Sequence, residues 1–61
     1  MEIKKGMLFK SNDSNYKTYL EILEVLPNRL YKCSYDPDFE ENSFYITEEE
    51  LFEDFTLVQK G

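Results

Sequence analysis

The side chains able to do chemistry in this chain are mostly carboxylates and tyrosines. Thirteen Asp and Glu and five Tyr stand beside one cysteine, Cys33, and no histidine. Without His, the commonest general base and zinc ligand is missing. Cys33 has no imidazole to activate it, and its alternation with Tyr31 and Tyr35 marks it as a small buried hydrophobe. A single cysteine closes no disulfide within the chain and builds no thiolate metal cluster. Gly6 and Gly61, the two glycines, make no phosphate-cradling loop. Carboxylate pairs are plentiful, yet 61 residues offer no deep pocket in which an acid and a base would meet different environments. The expectation is a protein that is not an enzyme, with no cofactor and no resident metal.

One acidic segment needs separate reading. Asp36, Asp38 and Glu40 occupy alternate positions, as carboxylates do at the start of an EF-hand calcium loop. The rest of that pattern fails: Glu41 stands where the sharp turn requires Gly, and Thr47 where the loop ends on a bidentate Glu. The segment therefore reads as a solvated hairpin loop, with Phe39 turned back onto the body of the domain.

Net charge is −6, and the sequence pI is near 4.4. Long-range repulsion then opposes a docked phosphate backbone, so direct nucleic-acid binding is not expected. The charge is also uneven. Residues 1–35 hold six cations against four anions, whereas residues 36–61 hold nine anions against Lys60 alone. If that second part gathers on one side, Asp36, Asp38, Glu40, Glu41, Glu48, Glu49, Glu53 and Asp54 form a negative surface spaced on the scale of a phosphate backbone. Such a surface would fill a Lys- and Arg-lined groove of a nucleic-acid-handling protein and act as a nucleic-acid mimic. The alternative is that the acidity serves solubility. Tyr16, Tyr19 and Tyr45 fall on loop or outward-facing positions, where an amphipathic ring can anchor a protein interface. Together with nearby carboxylates they would also suit an aromatic cage for a methylated cation, if the rings converge.

These residues need elements to position them. Turn formers cut the chain into short segments typical of an all-β domain. Met7–Lys10 is a short strand, 11–15 a polar loop, and Tyr19–Leu26 the longest apolar run. Tyr16, Tyr19, Leu20, Leu23 and Leu26 also fit helical spacing, with Ser14 as a cap and Pro27 as a stop; β-branched Ile22 and Val25 and the turn that follows favour a strand. Pro27-Asn28 forms a hairpin turn, with Pro presetting φ at the first central position and Asn tolerating the second. Leu30–Tyr35 alternates, placing Tyr31, Cys33 and Tyr35 on one face and Lys32 and Ser34 on a wet one. Ser43–Thr47 alternates again, with Phe44 and Ile46 opposite Tyr45. At Thr47 the period changes: Thr47-Glu48-Glu49-Glu50 matches a capping box, Ile46 can staple against Leu51, and three glutamates suit the positive end of a helix dipole. A helical turn to about Asp54 and a last strand, Phe55–Gln59, complete one domain over residues 1–61.

This order resembles the SH3-like small barrel, in which five bent strands are joined by a long first loop and a helical turn precedes the last strand. The resemblance covers nearly the whole chain and concerns element order and spacing, not a motif. It implies a mainly β fold. Signalling SH3 domains have an acidic first loop and a groove Trp; here the loop is Lys10–Lys17 and Trp is absent, so proline-rich peptide recognition is not implied. In size and charge the chain is also similar to small phage-encoded inhibitors of host defence systems, such as those acting on CRISPR nucleases. No secretory leader or apolar span of 18 residues occurs, so the expected setting is a reducing cytoplasm without membrane contact.

Overall fold

The computed structural model describes residues 2–15, 18–35 and 43–59. Five strands, β1 (Leu8–Ser11), β2 (Tyr19–Leu26), β3 (Leu30–Ser34), β4 (Phe44–Thr47) and β5 (Phe55–Gln59), are joined by loops and by one helix, α1 (Glu48–Asp54), before the last strand. Neighbouring strands are antiparallel in the order β4-β3-β2-β1-β5, and the sheet curls into a half-barrel. The mainly β class and the order of elements are those expected. Residues 19–26 form a strand, so their helical spacing does not become a helix. No helix among the described residues is long and apolar enough to cross a membrane.

The curl originates in β2. Its first residues, Tyr19 to Glu21, pair with β1, while Glu21 to Leu26 pair with β3. Between Ile22 and Glu24 the register shifts, leaving Leu23 without an opposite residue. Such a bulge bends the strand and raises its twist, which lets one strand serve both halves of the sheet. A second shift, between Leu8 and Phe9, leaves Val58 of β5 unmatched.

Inside the curl, cross-strand neighbours Phe9 and Leu20, Ile22 and Cys33, and Tyr31 and Ile46 share the concave face, and all are buried. Ile3 and Met7 close one side, where the Gly6 N–H donates to the Ile22 carbonyl at 2.9 Å and the Ile22 N–H to Met7 at 3.0 Å. Gly6 has φ 94°, a left-handed value that lets the chain turn there without a Cβ clash. Leu51, the buried residue of α1, and Phe55 fill the remainder. Each large apolar side chain so buried contributes about 1.5–3 kcal/mol.

Helix α1 is secured at both ends. The Glu50 N–H donates to Thr47 Oγ1 at 3.2 Å and the Thr47 N–H to Glu50 Oε1 at 3.4 Å, the reciprocal capping box read from the sequence. Ile46 and Leu51 both lie in the core, as the staple requires. At the other end, the Asn12 backbone N–H donates to the Asp54 carbonyl at 2.9 Å and Asn12 Nδ2 to the Glu53 carbonyl at 3.3 Å, while the Thr56 hydroxyl donates to Asn12 Oδ1.

Three local expectations need correction. Leu26 pairs with Leu30, so the β2–β3 hairpin has a three-residue loop, and both Asn28 (φ 64°) and Arg29 (φ 57°) are left-handed. Asn accepts that region readily, whereas Arg visits it less often, and tight hairpin turns impose it on adjacent residues. Ser34 is fully buried and not on a wet face; it pairs with Glu21, the residue at which β2 is flanked on both sides. Tyr35 lies beyond β3 and is 51% exposed, its ring 4.6 Å from that of Phe44 and 6.5 Å from that of Phe55.

Candidate functional site

The glutamates of the first turn of α1 have three different settings. Glu48 is the inward one. Its Oε1 accepts from the Tyr31 hydroxyl at 2.9 Å, its Oε2 lies 3.7 Å from Arg29 Nε, and its backbone N–H donates to the Arg29 carbonyl at 2.9 Å. These contacts tie the hairpin to the helix start, although the Arg29 side chain itself is 82% exposed. Burial first, then the Glu48 hydrogen bond and charge, raise the Tyr31 phenol above its ordinary pKa of 10.0, with nearby Arg29 opposing in part. Glu50 is exposed but bound into the capping box, also accepting from the Thr47 hydroxyl at 3.0 Å.

Glu49 is exposed, and so are Glu53 and Asp54; none of these three has a side-chain ion pair or hydrogen bond among the described residues. Positions 49, 52 and 53 fall on one stripe by helical spacing. Phe52, which the sequence reading did not single out, lies 42% exposed in that stripe, its ring 6.5 Å from the ring of Phe9. The signal was available: once the capping box fixes Leu51 inward, the next residue must turn about 100° away from the core.

Tyr19 and Tyr45 stand on the outer face of the sheet, 44% and 61% exposed. Tyr19 is opposite Lys10, and Tyr45 opposite Lys32. They lie on separate strand pairs on either side of the β2 corner, so no shared cage is formed from these two rings and a described carboxylate cluster. Tyr16, Asp36, Asp38, Glu40 and Glu41, with the calcium-like loop and Phe39, lie outside the described residues. The structure thus leaves Glu49, Glu53 and Asp54 exposed on α1, with Glu49 and Glu53 on one stripe, while Glu48 is engaged with Arg29 and Tyr31.

Cys33 is fully buried, and burial pushes its thiol up to about 12, which suppresses the thiolate at neutral pH. Ser11, Thr18, Tyr35 and Phe55 line an open notch of about 480 Å³, and among the described residues no acid meets a base there. Among the described residues, no three His, Cys, Asp or Glu side chains gather as a metal site would require. Comparison with known proteins gives no further lead: no protein-family model matches the chain, and no curated protein or solved structure matches it either.

Proposed function

We propose that this is a protein-binding module without catalytic activity, which inhibits a nucleic-acid-handling protein by occupying its basic surface. The observation that carries this reading is the outward stripe of α1, where Glu49 and Glu53 share a helix face with exposed Phe52 and have no side-chain partner among the described residues. Carboxylates of this kind meet lysines and arginines at long range and speed encounter, while a central ring adds desolvated contact area. The likeness to the SH3-like barrel is consistent with such a module, although that fold serves many functions. Similarity in size and charge to phage-encoded inhibitors of host defence supports the inhibitory sense of the reading.

A binding assay against immobilised basic nucleic-acid-binding proteins tests it. Affinity falls steeply as salt rises, and charge reversal at Glu49 and Glu53 abolishes capture. Salt-insensitive binding would falsify the proposal. A second reading, an adaptor that docks through tyrosines while acidity serves solubility, is favoured by the 61% exposure of Tyr45. Under that reading Tyr45→Ala or Tyr19→Ala weakens binding more than either charge reversal does.

A further inference from the structure

The sheet order leaves β4 and β5 at its two edges. Exposed edges are templates for another strand, and proteins protect them with bulges, prolines or charges. β5 carries such a device, the register break that leaves Val58 unmatched. By contrast, β4 pairs with β3 through four consecutive residues without a break, and its sequence, Phe44-Tyr45-Ile46-Thr47, has neither proline nor charge.

The direction of the β4 backbone follows from its hydrogen bonds. In an antiparallel ladder, bonded and non-bonded pairs alternate. The Glu48 N–H donates to the Arg29 carbonyl, whereas the Thr47 N–H turns away to the Glu50 carboxylate. Alternation then puts Ile46 with Tyr31 and Phe44 with Cys33 in the bonded class, and Tyr45 opposite Lys32 in the non-bonded class. The Tyr45 N–H and carbonyl consequently point away from β3 to the free edge, where they meet no partner among the described residues. Its ring stands on the outer face as the most exposed of the large hydrophobic side chains described.

We infer that this edge takes an extended, lysine- or arginine-bearing segment of the partner as an added strand, paired through the backbone of Tyr45 and covered by its ring. The sign of the partner's charge rests on the function proposed above; the geometry does not. Charge complementarity supports it locally: β4 runs directly into exposed Glu49 and Glu50, and Lys32 has Glu24 opposite it on its other side. A second copy of the chain is disfavoured, since each copy brings a net charge of −6.

The test is amide NMR on the full chain with three synthetic hexapeptides: alternating Lys and Val, the same peptide with every backbone nitrogen methylated so that neither strand edge can donate, and alternating Glu and Val. The Lys–Val peptide moves the Tyr45 amide, and methylation weakens its binding about tenfold by removing the bonding N–H groups. Tyr45→Pro, at an outward N–H where edge strands tolerate proline, weakens the Lys–Val peptide by about the same factor. The methylated peptide on the unaltered chain keeps the test decisive if that variant fails to fold. Equal binding of the plain and methylated peptides overturns the inference. So do shifts confined to 49–54 with Tyr45 unmoved, an outcome that leaves the charge-based function standing. Equal binding of the Glu–Val peptide overturns the assigned charge and, with it, the proposed function. A Tyr45 shift that grows with protein concentration in the absence of peptide places a second copy on the edge and also overturns the inference.

Discussion

Glu48 and Glu49 are adjacent, identical in chemistry and placed in the same helical turn, yet one belongs to the architecture and the other to the surface. Glu48 accepts from Tyr31 and faces Arg29, with a side chain 26% exposed. Glu49 is exposed, with Phe52 and Glu53 on the same stripe. The difference follows from where the helix begins. Thr47 pairs with Leu30, so the first helical residue is set against the hairpin, and the next has turned about 100° from it. Formal charge therefore overstates the charge that a partner can meet. A carboxylate drawn into a half-buried clasp stabilises the fold, and one left in solvent is available for recognition.

Several substitutions would break or sharpen this contrast. The largest effect is expected where both regions share a support: Leu51→Ala empties the core beneath α1 and costs about 2–5 kcal/mol, seen as a large fall in the denaturation midpoint. Within the clasp, Tyr31→Phe removes the hydroxyl donor to Glu48 and costs about 1–2 kcal/mol; an unchanged midpoint would show that the contact is idle. Thr47→Ala removes the cap and costs about 1 kcal/mol, read by the same measurement. On the outward stripe, Glu49→Gln and Glu53→Gln each change stability by less than about 0.5 kcal/mol, and a larger loss would move those residues into the architectural class.

High pH separates the regions in another way. Tyr31 and Cys33 hold their protons more tightly folded than unfolded, so their contribution is intact below the unfolded values and is lost as pH rises. For Cys33 that window runs from 9.0 to about 12; for Tyr31 it opens at 10.0. Stability measured across this range should fall in the unaltered chain. Cys33→Ala removes the part that starts at 9.0, and Tyr31→Phe the part that starts at 10.0.

Much of the fold was legible because local signals agreed. The capping box, the staple from Ile46 to Leu51 and the alternation around Tyr45 each fix a face, and each face is the one observed. What sequence did not carry was tertiary. Arg29 has no intrinsic preference for positive φ, yet it takes one in the three-residue loop, where its carbonyl accepts from the Glu48 N–H. Ser34 is buried at a place where β2 passes from one half of the sheet to the other, and its position in an alternating run pointed to solvent. The acidic set was legible as composition but not as a surface. Its members in residues 36–42 lie outside the described structure, and Glu48 faces inward.

The central claim is that adjacent carboxylates have divided roles, and one paired experiment tests it directly. Glu48→Gln and Glu49→Gln are each measured for thermal midpoint and for binding to an alternating Lys–Val peptide at low and high salt. The account predicts that Glu48→Gln lowers the midpoint and leaves the salt-dependent binding in place, whereas Glu49→Gln leaves the midpoint and weakens the binding. The reverse pattern, or equal effects of both changes on both readouts, would contradict it.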